Sequence, residues 1–113
     1  MPINFDLKET FDEMLSSVKQ VAGDSGKEAK GVALRFLKNR KERLLLLAEL
    51  RLAGELPDEK FRSRLEDEKL ILEAELKAMA VISKSTAQNT AQSVINIFQS
   101  AVIKALPEVL RAT

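Results

Sequence analysis

Apolar residues recur at steps of three and four along nearly the whole chain of 113 residues. This spacing places them on one face of a helix, and no stretch between turn signals shows the alternation that is typical of a strand. The pattern is interrupted at residues 23–26 and again at residues 54–57. The sequence therefore predicts an all-α fold, a single domain that forms a three- to four-helix bundle.

The interruptions predict helices at about residues 4–22, 27–53, 58–82 and 86–106. Gly54 supplies the left-handed conformation that closes many helices. Pro57 tolerates a helix that starts directly after it, and Asp58 and Glu59 then lie in the first turn, where the helix dipole favours negative charge. The second and third helices are therefore expected to form a central antiparallel hairpin.

The boundary between the third and fourth helices has two interpretations. Residues 82–91 contain neither Gly nor Pro, although a Ser or Thr in this stretch could cap a new helix. Either two helices meet near residues 83–86, or one long C-terminal helix of about 48 residues, roughly 70 Å in length, continues to residue 105. A continuous or only gently broken helix is favoured because nothing in the segment clearly breaks it.

The composition excludes several kinds of chemistry. The chain has no His, Cys, Trp or Tyr, so a disulfide, a Cys/His zinc site, a thiol nucleophile and a histidine base are all excluded. Carboxylates on the first and third helices have spacings that could hold Mg²⁺, but interleaved Lys and Arg residues are expected to pair with them. We therefore expect a protein that is not an enzyme, with no catalytic residue, no metal and no cofactor.

Four consecutive leucines, at residues 44–47, cover every side of the second helix. A helix that is apolar all round must be covered on several sides. Either the second helix is the central element of the chain's own bundle, or a second subunit covers part of it.

Five of the nine residues from 35 to 43 are basic. Clustered cations of this kind can contact the phosphates of nucleic acid or of lipid headgroups. The alternative, which we favour, is a solvated or ion-paired helix face in which some of these side chains pair with Glu66, Asp67 or Glu68 of the antiparallel partner helix. The candidate anion contacts are Arg35, Lys38, Arg40, Lys41 and Arg43.

Residues 85–103 contain no charged side chain, although 31% of the chain is charged. Neutral polar residues beside a broad apolar face suit an interface, because burying a charge would carry a desolvation cost. The predicted interface consists of an apolar set and a polar flank that sets register. The apolar set is Val94, Ile95, Ile97, Phe98, Val102 and Leu106, and the flank is Gln88, Gln92, Asn96 and Gln99.

These features predict a non-enzymatic assembly or adaptor protein that acts through helix-mediated self-association and protein binding. The expected partners are a second copy of the chain, another protein, or both. The first alternative is a peripheral membrane protein that uses the basic run and the amphipathic C-terminal helix, and nucleic-acid binding through the same run ranks below it. With no signal peptide, no spanning segment and no cysteine, a cytoplasmic location is expected.

Overall fold

The computed structural model describes residues 5–79 and 82–111, and within these ranges the chain is built from helices without strands. A single 3₁₀ turn, Gly23–Ser25, joins the first two helices. The prediction of an all-α bundle is confirmed. The helices are α1 Leu7–Ala22, α2 Gly26–Leu52, α3 Asp58–Lys77, α4 Lys84–Ala105 and the short α5 Glu108–Arg111.

Helix α1 begins after a side-chain cap and ends at a tight turn. The Asp6 carboxylate accepts a hydrogen bond from the Glu9 backbone N–H at 3.1 Å, which satisfies one of the free donors of the first turn. At the other end, a Cβ on Gly26 would lie only 3.2 Å from the Lys19 carbonyl oxygen. The absence of a side chain at Gly26 therefore lets α2 start directly against the last turn of α1.

The predicted antiparallel hairpin of α2 and α3 is confirmed. Gly54 adopts a φ of 77° just after α2, as expected of the residue that closes a helix. Pro57 is the N-cap of α3, and its carbonyl accepts the Phe61 N–H at 2.9 Å. Arg51 near the end of α2 lies 3.8 Å from Asp58 at the start of α3, and Arg40 earlier in α2 binds Glu68 later in α3, so the two helices run in opposite directions.

The favoured expectation of one continuous C-terminal helix is wrong. Helix α3 ends at Lys77, and α4 starts at Lys84 after an extended Ser83 whose hydroxyl accepts the Thr86 N–H at 3.1 Å. This hydrogen bond is a serine N-cap. The physical reason for the break is that α4 folds back on α3, and its apolar face can then enter the same core.

The four long helices form a closed ring. Each packs against its neighbours in sequence, and α1 closes the ring by packing extensively against α4. The phenyl group of Phe5 contacts that of Phe98 edge to face, with centroids 5.9 Å apart, which is a favourable arrangement for aromatic pairs. The largest fully buried apolar side chains are Phe36, Phe61, Phe98, Met14, Leu37, Leu44, Leu65, Leu72 and Leu76.

The bundle measures 44 × 23 × 22 Å, and its long axis corresponds to the 27 residues of α2. Helix α1 has only 16 residues, so it runs beside only part of α2. At the other end of the bundle, the buried Arg51 donates hydrogen bonds to the carbonyls of Leu56 and Leu110, each at 3.3 Å. These bonds hold the C-terminal turn against the loop between α2 and α3.

Candidate protein interface

The apolar residues predicted to form an interface on α4 lie almost entirely inside the chain's own bundle. Five of the six are at most 3% exposed, and Ile97 is half-buried. A partner could contact those five side chains only if the bundle opened. The buried five are Val94, Ile95, Phe98, Val102 and Leu106.

The polar flank of that predicted interface is at the bundle surface. Gln88, Gln92 and Asn96 are exposed, whereas Gln99 is half-buried. Gln92 donates to Asn96 at 2.8 Å and accepts from Lys69 of α3 at 3.1 Å. Part of the neutral row on α4 therefore has partners within the chain, and its role in binding another molecule stays a prediction.

A polar groove of about 620 Å³ lies between α1 and α4. Glu9 and Glu13 line it on the α1 side, opposite Asn89, Ser93 and Asn96 on α4. The neutral row thus lies beside carboxylates of the same chain. An amide or hydroxyl can stand there without the repulsion that a further carboxylate would cause.

The basic run on α2 is divided between different sides of the helix, because successive residues point about 100° apart. Arg40 and Arg43 turn toward α3, where both bind the carboxylate of Glu68. Lys38 and Lys41 turn toward α1 and stay exposed. The five basic residues therefore do not form one anion-binding surface, and exposed Arg35 is not part of either group.

Glu68 is the centre of a buried ion-pair cluster. Its side chain is 1% exposed, and Arg40 donates to its two oxygens at 2.9 and 2.8 Å, a bidentate arrangement. The Arg43 Nε lies 2.9 Å from the same carboxylate. The hydrogen bond from Arg40 to Glu68 raises the pKa of the Arg40 guanidinium, so this side chain remains charged at any pH where the protein is handled. The predicted pairing of the basic run with the acidic residues of α3 is confirmed for Glu68.

The other half of the run borders an open apolar groove between α1 and α2, with a volume of about 910 Å³. We call it the α1–α2 groove. Its α1 wall consists of Leu7, Phe11 and Leu15 with Asp6, Lys8 and Asp12 at the rim, its α2 wall consists of Leu34 and Leu37 with Lys38 and Lys41 at the rim, and Phe5 lies at one end.

The two leucines in the α2 wall of the α1–α2 groove differ in exposure. Leu37 is 1% exposed and belongs to the core, whereas Leu34 is 40% exposed. Among the described residues, no ion pair joins Lys38 or Lys41 to a carboxylate. The groove therefore offers a partly exposed apolar strip beside cations that form no ion pair with the described residues, an arrangement that resembles the apolar centre and polar rim of a protein interface.

The sequence reasoning missed the apolar half of this groove. Leu34, Lys38, Lys41 and Leu45 follow one another at steps of four, three and four, which places them along one side of α2. That spacing was the available signal. The five basic residues are close together in sequence, but only Lys38 and Lys41 share a side of α2 with Leu34 and Leu45.

The other exposed large apolar side chains among the described residues do not line the α1–α2 groove; they are Val21, Leu46, Leu70, Ile71 and Val109. Leu46 and Leu70 are about half exposed, on α2 and α3. Some exposed apolar residues are normal on protein surfaces. The two leucines provide matched controls for the groove.

Two further features bear on function. Within residues 5–79 and 82–111 there is no group of three or more acidic, His or Cys side chains that could hold a metal ion. In the same part of the chain, no helix is both long enough and apolar enough to cross a membrane.

No protein-family model matches the sequence, and neither a curated protein nor a solved structure matches the chain.

Proposed function

We propose that this chain is a non-enzymatic helical assembly or adaptor protein, located in the cytoplasm, that self-associates and binds protein through the α1–α2 groove. The observation that carries the proposal is the groove itself, where Leu34, Phe11 and Leu15 offer apolar surface beside the exposed Lys38 and Lys41. The proposed binding surface is therefore the α1–α2 groove and not α4, because five of the six apolar side chains predicted to bind on α4 are in the core.

The driving force for association at this groove is the removal of apolar surface from water, worth about 25 cal/mol per Å². Charged groups at the rim can remain hydrated or find opposite charges on the partner, and they then select which partner fits. No chemical step is required of any residue. The groove therefore favours recognition over catalysis.

The test is absolute mass in solution, measured by light scattering after size exclusion at low and high protein concentration. We expect an oligomer for the wild type and for Leu70→Asp, and a monomer for Leu34→Asp. The two variants place the same charge at exposed leucines, 40% and 51% accessible, of which only Leu34 lines the groove. A general effect of added surface charge on association would therefore appear in both variants.

A wild type that stays monomeric at every concentration would contradict self-association. Dissociation by Leu70→Asp and not by Leu34→Asp would place the interface elsewhere. Circular dichroism of each variant establishes that the loss of the oligomer is not a loss of the helices. Phe98→Asp is unsuited to this test, because Phe98 is fully buried and its replacement would unfold the bundle.

One observation favours a second candidate, the binding of an anionic membrane surface. Lys38 and Lys41 lie beside the half-exposed Leu34, a combination that suits lipid headgroups and the acyl boundary beneath them. The same rim carries Asp6 and Asp12, which such a surface would repel. Cosedimentation with vesicles tests this candidate: binding that requires anionic lipid would support it, and indifference to lipid charge would remove it.

Nucleic-acid binding has less support than either candidate. Such binding requires the five cations of residues 35–43 to act together, whereas Arg40 and Arg43 are paired with Glu68. A binding constant that falls steeply with salt would be its signature.

A further inference from the structure

The two walls of the α1–α2 groove carry rim charges of opposite net sign. The α1 wall carries Asp6 and Asp12 together with one cation, Lys8, whereas the α2 wall carries the two cations Lys38 and Lys41. One wall thus has a net charge of −1 and the other of +2. A groove of this kind is complementary in charge to a copy of itself that is turned around.

We infer that the partner in the groove is a second copy of this chain, related by a two-fold axis, with the α1 wall of each copy against the α2 wall of the other. This inference rests on the proposed function and gives it a stoichiometry. Because both copies use the same surface, the contact is isologous and closes at two subunits. The assembly is then a dimer and not an open filament.

In this arrangement the carboxylate of Asp12 faces Lys38 and Lys41 of the partner subunit, and the same contact is repeated on the other side of the axis. The apolar strip around Leu34 and Phe11 is covered at the centre. The size of the bundle permits such a contact, since its long side measures 44 by 23 Å and a standard interface needs roughly 800 Å² per partner.

The opposite net charges of the two walls favour a second copy over a flat anionic surface. An anionic membrane would attract the α2 wall and repel Asp6 and Asp12 on the α1 wall. A second copy turned by 180° brings opposite net charges together at both walls.

The test is a charge exchange between the two walls. The first variant is Lys38→Glu with Lys41→Glu, and the second is Asp12→Lys; Asp6 is left unchanged because its carboxylate caps α1. In a homodimer of either variant, like charges face each other. We expect the dimer dissociation constant of each to rise by at least about tenfold, because several exposed ion pairs turn into repulsions at once.

A one-to-one mixture of the two variants restores opposite charges at both contacts. We expect a heterodimer whose dissociation constant is within about threefold of the wild type, measured by native mass spectrometry with one variant labelled with ¹⁵N. The control is Lys27→Glu with Arg35→Glu, the same charge change at exposed positions of α2 outside the groove. This control should leave the dimer unchanged.

The outcomes separate the inference from the proposed function. If the oligomer dissociates with Leu34→Asp but the charge exchange has no effect, the groove is an interface and the two-fold arrangement is wrong. Masses above that of a dimer, or a mixture that stays monomeric, would also overturn it. A monomer that binds anionic vesicles, and loses that binding with Lys38→Glu and Lys41→Glu, would replace the second copy by a lipid surface.

Discussion

The two edges of α2 carry cations that are close in sequence but differ in their contacts. On the edge toward α3, Arg40 and Arg43 bind the buried Glu68. On the edge toward α1, Lys38 and Lys41 have no anionic partner among the described residues and border an open groove. The first edge is closed within the chain, and the second is available to another molecule.

The chemistry of the two side chains matches the two edges. A guanidinium is planar and presents several donors in a fixed arrangement, which suits a bidentate contact with a carboxylate that has lost its water. An ammonium is a compact and strongly hydrated charge, which suits a rim where partners can come and go. Between residues 38 and 43, the arginines thus bind within the chain and the lysines border the groove, whereas exposed Arg35 belongs to neither group.

The largest expected effect of breaking the closed edge comes from Glu68→Ala. This change leaves Arg40 and Arg43 without their common partner, and we expect it to lower the free energy of unfolding by about 3 kcal/mol, at the low end for a buried pair because both guanidinium groups are partly hydrated. Urea unfolding followed by circular dichroism measures it. Glu66→Ala is the control: that side chain is 54% exposed and its one ion pair among the described residues is with Lys69 on its own helix, so its loss should cost at most about 0.5 kcal/mol. Equal losses for the two variants would mean that Glu68 is not a central contact.

An intermediate effect compares two adjacent residues of the run. Arg40→Ala leaves Glu68 with Arg43 alone and should cost about 1–2 kcal/mol of unfolding free energy. Lys41→Ala removes an exposed cation from the other edge and should change that free energy by less than about 0.5 kcal/mol. Thermal unfolding at low protein concentration measures both. A larger loss for Lys41→Ala than for Arg40→Ala would reverse the assignment of the two edges.

The smallest effect tests the difference between the two cations directly. Arg40→Lys keeps the charge but loses the two parallel hydrogen bonds to Glu68, so we expect a loss of about 1 kcal/mol in stability. The reciprocal change, Lys38→Arg, should be neutral within about 0.5 kcal/mol. If both exchanges prove neutral in urea unfolding, charge alone stabilises the α2–α3 edge and the bidentate geometry adds nothing.

The parts of the fold that depend on local signals could be predicted from the sequence. Gly54 and Pro57 mark the turn of the hairpin, and the structure shows the left-handed glycine and the cap that these residues imply. The pairing of Arg40 and Arg43 with Glu68 followed from the antiparallel arrangement once the hairpin was known. In each case the deciding interaction spans few residues or follows directly from the hairpin.

The break between α3 and α4 could not be predicted in the same way. Ser83 is a possible cap, but a serine can also continue a helix, and the choice depends on what the following residues contact. If α4 continued α3 as a rod, Val94 and Phe98 would project beyond the bundle and need a second subunit. Folding back lets them complete the chain's own core, where both are fully buried. The direction of α4 therefore decides whether its apolar face is available to a partner or completes the core, and the uncharged stretch of residues 85–103 does not reveal that direction.

The groove on the other side of the bundle was missed for a related reason. Which side of α2 is left partly uncovered depends on where α1 lies against it, and that position is set by the whole ring of helices. Leu34 looks like any other apolar residue in the sequence, yet it is 40% exposed while Leu37 is fully buried.

The closing contact of the ring, between α1 and α4, has a consequence for how the protein is made. Helix α1 is synthesised before α2 and α3, and its partner α4 is the last of the four long helices to leave the ribosome. Until then Met14 and Val18, both fully buried in the finished bundle, lack much of their final cover. Until α4 emerges, a nascent chain of this design therefore carries an amphipathic helix whose apolar face is only partly covered, which is a condition under which chaperones bind and incomplete chains aggregate. Truncation before α4 would leave the ring unclosed, whichever molecule the finished protein binds.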